Sequence, residues 1–595
     1  MNVARYAVGI DLGTTHCAVA YADLSREASR PSVIEIPQLV ARGSVEARAL
    51  LPSFFYVAHE SEGVQALPWD DKRAYAVGEF ARARGLDAPT RLVSSAKSWL
   101  GHPTIDRRSG MLPLGAPADV EKISPVEVSW RYLEHIAEAW EAVVAKGNAS
   151  LALAAQEVVI TVPASFDPGA RELTVEAALA AGLDRVTLLE EPQAALYAWI
   201  EKLGDAWRKH VRVGDVILVV DVGGGTTDFS AIVAREKDGA LELERVAVGD
   251  HILLGGDNMD LALAHVVKEK LRGEGKEIDP WQMTSLTYAC REAKERLLAD
   301  NKLTEMPIAI AARGSKLVGG SLRTGLSREE LEQTLVDGFF PQVLADARPQ
   351  VRPRGALTQL GLPYAQDAAV TKHLAAFVGR HALAPTALLF NGGVMKGEPL
   401  RMRVVECVDA WLRAAGAKPA RVLEGADLDL AVARGAASYG LARRGHGVRI
   451  RGGTARAYYV GIESAVPAVP GLAPPTVAMC VAPFGMEEGT AVDLPKHELG
   501  VVVGEKVSFR FFGSTVRKTD APGTEVSQWK EGELEELSPI EVTLPTEGRR
   551  AGDVVPVSLH AEITEVGTLL LETIPKKPLK QDERWKVELS VRQNE

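Results

Sequence analysis

Apolar residues follow two patterns over most of the chain. Short apolar runs closed by turn residues predict buried strands at residues 6–20 (strand, turn, strand), 51–57, 76–81, 157–164, 186–189, 216–230 and 387–390. Helix-spaced apolar positions or small-residue runs predict helices over 124–145, 167–181, 193–200, 285–299, 327–340, 367–377 and 429–441. Val128, Tyr132, Ile136 and Trp140 step by four after a Ser-Pro start. Leu286, Ala289, Cys290, Ala293 and Leu297 share one face of another helix. Ser327 with Glu330 has capping-box spacing, and Pro192 suits a first helical turn. Residues 442–453 (ARRGHGVRIRGG) are basic and glycine-rich and read as a linker or exposed crossing. Beyond them the period becomes two. Val507-Phe509-Phe511, Ile540-Val542-Leu544, Val555-Val557-Leu559 and Trp585-Val587-Leu589-Val591 predict an all-β domain.

One strand end carries candidate chemistry. In residues 217–230 (ILVVDVGGGTTDFS) a buried strand ends in Asp221, followed by Gly223-Gly224-Gly225, Thr226-Thr227 and Asp228. Two readings stand side by side: a glycine-rich hairpin turn, or a turn whose amides cradle phosphate while carboxylates hold Mg²⁺ through its waters. Residues 6–20 repeat the pattern, with Asp11-Leu12-Gly13-Thr14-Thr15 between two apolar strands. The spacing is too long for a solenoid and suits two similar lobes facing one cleft. This favours a phosphate site built twice. Gly255-Gly256 before a helix, and Asn391-Gly392-Gly393 after a strand, are further turns of the same kind. Alone, Lys97 reads as a solvated helix lysine, and Glu190 and Glu191 as complements to a helix dipole. There is no GxxxxGK[ST] and no GxGxxG after a strand, which disfavours P-loop and Rossmann sites.

Composition narrows the class. The chain has 595 residues, enough for two to four domains. Its hydrophobic fraction of 46% and charged fraction of 25% are those of a soluble globular protein. A net charge of −11 argues against a general nucleic-acid binder. Cys17, Cys290, Cys407 and Cys480 lie far apart without metal-ligand spacing, so neither a disulfide framework nor a zinc site is expected, and a reducing, cytoplasmic setting fits. The N-terminus has no signal-peptide apolar core. No apolar run reaches the ~18 residues of a membrane span.

The segments GIDLGTTHCAVA, AKSWLG, VVITVPASF, LLEEPQAA, VVDVGGGTTDFS, LLGGDNMD, LLFNGGV and DLAVARGAA occur in that order between residues 3 and 445. As an ordered set they resemble the nucleotide-binding domain of the DnaK-type seventy-kilodalton heat-shock chaperones, within the actin/hexokinase-like ATPase superfamily. The likeness is to a divergent bacterial branch. YYVGIES (458–464) resembles the start of the family's β-sandwich substrate-binding domain. The resemblance implies an α/β, two-lobed ATPase domain at 1–445, a linker at 446–456 and a β-sandwich domain at 457–595 with no helical lid.

It also implies roles. Asp11 and Asp221 would hold Mg²⁺, largely through water. Gly13, Thr14, Thr15, His16, Gly223, Gly224, Gly225 and Thr226 would surround the phosphates of ATP or ADP, with K⁺ a further candidate ion. Lys97 would orient the attacking water, and Glu191 would act on that water or the metal shell. Gly255, Gly256, Gly392 and Gly393 would close around the nucleotide. Lys294, Lys396 and Asp429 would lie at the nucleoside. Pro163 and Arg171 match the relay that couples nucleotide state to the β-domain.

Several positions depart from the family pattern. Ser165 replaces an aromatic residue, and His16 replaces a tyrosine. Arg291, Glu295 and Leu298 break the usual acidic, basic and serine pattern of the adenine-clamping helix. Lys396 stands where an arginine commonly stacks on the base. RIRGG replaces the acidic, leucine-rich linker, and the segment 352–381 looks enlarged. The expected function is an ATP-hydrolysing chaperone that binds unfolded or partner polypeptides, with a J-domain protein and a nucleotide-exchange factor as candidate partners, and neither nucleic acid nor membrane. The alternatives are a nucleotide-gated protein with one dedicated partner, and a metabolite kinase on the same superfold.

Overall fold

The computed structural model describes residues 4–588, apart from 27–28, 103, 238–239, 312–320, 352–360, 426, 447–449, 452–453, 455, 464–474, 488, 495–498, 531, 538, 565–568 and 581–582. Part of the basic linker, part of the enlarged segment, and the end of the last alternating run lie outside these residues. The chain divides into two compact units: residues 1–165, 176–243 and 248–449 form one, and residues 166–175, 244–247 and 450–595 the other.

The first unit uses one sheet plan twice. In one sheet a hairpin, Tyr6–Leu12 with His16–Asp23, is extended by parallel strands Glu157–Val162 and Val186–Glu190. In the other, the hairpin Val216–Val222 with Thr227–Lys237 is extended by parallel strands Ala387–Asn391 and Arg421–Val422. The central strands are apolar on both faces because each sheet is covered on both sides. Val8, Ile10, Val219 and Val220 are fully buried. The repeat suspected from the two Asp–Gly–Thr–Thr segments is thus a repeat of topology.

The small-residue helix Ala431–Arg443 covers the first sheet. Its alanines and Gly435 let it approach closely. A Cβ at Gly9 would lie 2.3 Å from the Ala433 carbonyl oxygen, and one at Gly435 would lie 1.7 Å from that of Ala194. The helix Glu191–Leu203, which carries Ala194, is therefore held against this helix backbone to backbone.

Local signals place most boundaries. Ser124 caps Pro125–Trp140 through the Glu127 amide, and Ser327 with Glu330 forms the expected capping box. Three expectations need correction. The helix expected over 285–299 starts a turn earlier, at Pro280, because Asp279 and Gln282 form a capping box there. Val507-Phe509-Phe511 is not one strand: Lys506–Phe509 pairs with Ile540–Thr543, while Phe511–Ser514 pairs with Ala457–Glu463. Side-chain alternation across Arg510 is period two in both strands, so sequence alone does not reveal the break. The helix Glu398–Ala414 lies in a stretch for which no element was expected, while Glu79–Asp87 and Gly256–Gly273 are helices for which only the start was expected.

In the second unit, Ala457–Glu463, Thr476–Ala482 and Phe511–Ser514 form one sheet. In another, Val554–Ile563 pairs with Leu569–Pro575, which pairs with the outer strand Trp585–Glu588. Met479 and Val481 from the first share a buried core with Val557, Ala561 and Leu571 from the second, which makes the unit a β-sandwich. From residue 450 on, the described residues contain no helix. Among the described residues, no helix is long and apolar enough to cross a membrane.

Gly435→Ala is expected to destabilise the first unit by about 2 kcal/mol or more through backbone overlap. Gly273→Ala, where a Cβ meets nothing within 4 Å, is expected to stay within ~0.5 kcal/mol of the parent. Denaturant midpoints of the two variants check this, and equal midpoints would refute the close-approach account.

Candidate active site

The two hairpins point their turns at one cavity of about 470 Å³. In each hairpin the aspartate near the strand end sits beside a polar residue on the neighbouring parallel strand. Asp11 is in register with Thr161, and Asp221 with Asn391. Thr161 Oγ1 lies 3.3 Å from Asp11 Oδ1, and Asn391 Nδ2 donates to Asp221 Oδ2 at 2.7 Å. The same strand order therefore supplies each carboxylate with a fixed neutral partner that leaves its charge to a ligand.

Most residues named from the sequence line this cavity. Asp11, Gly13, Thr14, Thr15, His16, Lys97, Glu191, Asp221, Gly223, Gly224 and Thr226 form one part of the wall, and Gly256, Lys294, Gly392, Gly393, Lys396 and Asp429 another. Gly225 stands behind the wall, where a Cβ would lie 2.8 Å from both Thr14 Cγ2 and Ser98 Oγ. Gly392 adopts φ +84°, a left-handed conformation that lets the chain turn beside Asp221. Pro163 and Arg171 are not among the lining residues. Pro163 follows the strand Glu157–Val162, and the Arg171 guanidinium donates to the Phe166 carbonyl at 3.3 Å.

Gly256 lines the cavity, but the amides at this helix start are committed within the protein. The amides of Gly256 and Asp257 donate to the carbonyls of Gly223 and Gly224, at 3.0 and 2.7 Å. These N–H groups are spent inside the protein, so the helix start braces the hairpin turn. A Cβ at Gly255 would lie 2.7 Å from both carbonyl oxygens, which explains the glycine.

Lys97 is not a solvated lysine. It lies on a short helix, Ala96–Leu100, and its side chain is 6% exposed. It pairs with Glu191, the first residue of its own helix. Burial disfavours the Lys97 charge, but Glu191 and Asp11 outweigh it and raise its pKa. Burial pushes the Asp11 carboxyl up to about 7 despite Lys97, with Glu191 adding to the rise. Burial and then Glu191 raise Asp221 well above the usual carboxylate range, against the Asn391 hydrogen bond. Two carboxylates raised in this way mark a site arranged for a cation. Among the described residues, no group of three or more His, Cys, Asp or Glu could hold a metal directly. Two carboxylates supplemented by water and phosphate oxygens are the usual surroundings of Mg²⁺. Asn391 Oδ1 is buried with no hydrogen-bond partner beside Asp221, a further acceptor facing the same point. The donor set fits Mg²⁺.

His16 is forced neutral, because burial lowers its pKa to about 4. It therefore adds no charge to the cavity.

The far end of the cavity is rebuilt around ion pairs. Arg291 reaches Asp260 at 2.6 Å and also pairs with Asp257, Lys294 reaches Asp260 at 2.7 Å, and Ser95 donates to Asp257 at 2.7 Å. The departure of Arg291 from the family pattern thus has a structural consequence: its charge is consumed by acids of the neighbouring helix. Lys396 pairs with Asp429. Leu298 and Leu400 supply apolar wall beside them.

The reading from sequence missed Thr161, Asn391, Asp257 and Asp260. They lie inside the quoted segments VVITVPASF, LLFNGGV and LLGGDNMD but had no role there, because parallel-strand register and helix docking decide their partners. It quoted Asp228 without a role. That carboxyl is buried and in register with Asp221, and burial raises it to about 6 against hydrogen bonds from Ser165 and Thr226.

The family model described as "Hsp70 protein" matches residues 52–350. "Chaperone protein HscA" of Cronobacter sakazakii (strain ATCC BAA-894) is 34% identical over 319 residues, covering 51% of this chain and 44% of that protein. "Chaperone protein HscA homolog" of Pseudomonas paraeruginosa (strain DSM 24068 / PA7) is 32% identical over 364 residues, covering 59% and 49%. "Chaperone protein HscA" of Proteus mirabilis (strain HI4320) is 32% identical over 318 residues, covering 51% and 44%. The chain spans about half the length of the curated relatives it matches. The matched residues 52–350 contain Lys97, Glu191 and the hairpin that carries Asp221, so the likeness runs through the cleft itself, and the chain belongs to the Hsp70 family.

Proposed function

We propose that the first unit binds Mg²⁺–ATP in this cavity and hydrolyses it, and that nucleotide state switches polypeptide binding by the β-sandwich unit. The observation that carries the reading is the buried Lys97–Glu191 pair at the point where Asp11 and Asp221 converge. Phosphoryl transfer to water is catalysed mainly by positioning and charge stabilisation, and a bound Mg²⁺ neutralises phosphate charge. In this reading Asp11 and Asp221 hold the ion through its waters, with Thr161 and Asn391 fixing their orientation. Thr14, Thr15, Gly224 and Thr226 surround the phosphate tail. Lys97, fully charged through its pairing with Glu191, faces the terminal phosphate and the attacking water. Glu191 holds Lys97 in one rotamer. The wall formed by Leu298 and Leu400, with the Lys396–Asp429 pair, receives the nucleoside.

We propose residues 446–456 as the linker, with Pro163 and Arg171 as the coupling positions. The names of the relatives support a chaperone role. Client polypeptides, a J-domain protein and a nucleotide-exchange factor are the partners this reading calls for, in the cytoplasm of a bacterium. An unfolded client is expected to raise ATP turnover, and a turnover indifferent to both client and J-domain protein would count against the chaperone half.

Two outcomes are expected of the site. Lys97→Ala should retain nucleotide binding and lose about 100-fold or more in single-turnover hydrolysis, the scale of removing one transition-state donor. Undiminished hydrolysis in that variant would overturn the assignment. The second outcome concerns pH. With the Asp11 carboxyl raised to about 7, a proton competes with the cation below that pH. Mg²⁺–nucleotide affinity should therefore rise from pH 6 to 8, by up to about tenfold per unit below the pKa, with release of protons. Calorimetry in two buffers of different ionisation enthalpy reads that release, and an affinity flat across the range with none would contradict the account.

A further inference from the structure

The helix Ala96–Leu100, which carries Lys97, has only five residues, and the residues at both of its ends bond to the second lobe. At its start, Ser95 adopts φ +55°, a left-handed conformation that is strained for a residue with a side chain. Its hydroxyl does not cap the helix but donates to Asp257 Oδ2 at 2.7 Å. Asp257 lies on the helix Gly256–Gly273 and lines the cavity, and its amide donates to the Gly224 carbonyl at 2.7 Å. Past the other end, His102 stacks on Trp99 of the short helix, with ring centroids 5.6 Å apart and planes 8° from parallel. His102 Nε2 lies 3.1 Å from the Gly361 carbonyl oxygen, and the Thr104 amide donates to Nδ1 at 3.2 Å. Gly361 belongs to the segment that looks enlarged against the family pattern. That segment is tied in turn to the second lobe just before Gly255, where the Ala365 amide donates to the Leu253 carbonyl at 3.1 Å.

Donor counting fixes the His102 contact. A backbone carbonyl only accepts, so Nε2 carries the imidazole hydrogen, and Nδ1 accepts from Thr104. His102 is therefore neutral and held in one tautomer, at 5% exposure. A helix of little more than one turn has no stability of its own, so its position is set by what it touches. The strained φ of Ser95 persists only where the surroundings over-determine it, and the bond to Asp257 is one such contact. Both second-lobe contacts lie on segments anchored beside Gly255, where the helix start docks on the second hairpin turn. A second lobe that swings away breaks both and frees the helix that carries Lys97.

We infer that Ser95 and His102 are positioning residues for ATP hydrolysis: they clamp the two ends of the Lys97 helix to the second lobe and so aim Lys97 at the terminal phosphate only when the lobes are closed. The inference rests on the ATPase reading above. It gives residues 361–365 of the enlarged segment a task, as the strap that receives His102, and it accounts for a serine in a conformation better suited to glycine.

The test uses the full chain, with single-turnover ATP hydrolysis, nucleotide affinity and melting temperature measured on each variant. Ser95→Gly removes the hydroxyl and relieves the positive φ, so it should melt like the parent yet hydrolyse about 10-fold more slowly, within the ~100-fold that a misplacement of about 1 Å can cost. His102→Ala should slow hydrolysis by a similar factor. His102→Gln, whose amide nitrogen can stand near the Nε2 position, should recover at least half of the lost rate. Nucleotide affinity should stay within about threefold in all three, since the clamp acts on the lysine and the reacting phosphate. In a Lys97→Ala background, Ser95→Gly should cost less than about twofold, because its effect passes through Lys97. Parental rates in Ser95→Gly and His102→Ala, a loss confined to affinity, or a full further loss in the Lys97→Ala background would each overturn the inference. A slow Ser95→Gly that also melts well below the parent would overturn it too, as the mark of a merely structural bond. Should His102→Ala not fold, Ser95→Gly decides alone by the same criteria. A parent protein that binds ATP without turning it over would sink the ATPase reading itself, whereas an active parent with unaffected variants sinks only the clamp.

Discussion

Four ionisable side chains leave bulk water at one point of the first unit: Asp11, Lys97, Glu191 and Asp221. Such a group is tolerated only if its charges are paired and hydrogen-bonded, because uncompensated buried charge is costly. Lys97 and Glu191 satisfy each other. The two aspartates keep neutral partners, Thr161 and Asn391, and their carboxyls rise as a result of burial. The site is thus left with a demand for positive charge that its own residues do not meet. The rest of the first unit can be understood as the frame that holds this demand in place: two hairpins for the acids, one short helix for the lysine, and one helix start for the glutamate.

Close backbone approach is the second constraint. Gly9 and Gly435 let the helix Ala431–Arg443 sit against the sheet and against Glu191–Leu203, which carries Glu191 at its start. Gly255 lets the start of the helix Gly256–Gly273 dock on the carbonyls of the second hairpin turn. The second turn is therefore stiffened by a helix start, and the same helix brings Asp257 and Asp260 to Arg291 and Lys294. Turn geometry and the ion network at the far end of the cavity are consequences of a single docking.

The departures from the family pattern acquire physical content in this frame. Arg291 replaces an acid, and its new charge is absorbed by Asp257 and Asp260. Ser165 replaces an aromatic side chain, and the small hydroxyl leaves room for His251 to approach. His16 replaces a tyrosine and stays neutral because it is buried. Arg291 and Ser165 each meet local partners, and His16 is buried, so the polar lining of this region changes with them.

Much of this was legible in the chain itself. The two Asp–Gly–Thr–Thr segments after apolar strands are local patterns, and strand, turn and acid are encoded within about a dozen residues, so the duplicated hairpin and its acids could be read directly. The β-sandwich announced itself by its period of two. What could not be read depends on contacts between distant segments. Taken alone Lys97 looked like a solvated lysine, and only the family resemblance gave it a role, because its burial is decided by a glutamate far along the chain. Thr161 and Asn391 became partners of the aspartates only through parallel-strand register, which no local pattern specifies. The break at Arg510 was invisible because alternation is the same in one strand or two. The role of Gly255 emerged only when a helix start met the carbonyls of another turn. Sequence by itself determined the elements, the acids and the family, since these rest on short-range periodicity and turn chemistry. The tertiary structure alone decided which charges are paired, which amides are already spent and which hydroxyl links the lobes, because each of these is a matter of distance between residues that the chain order keeps apart.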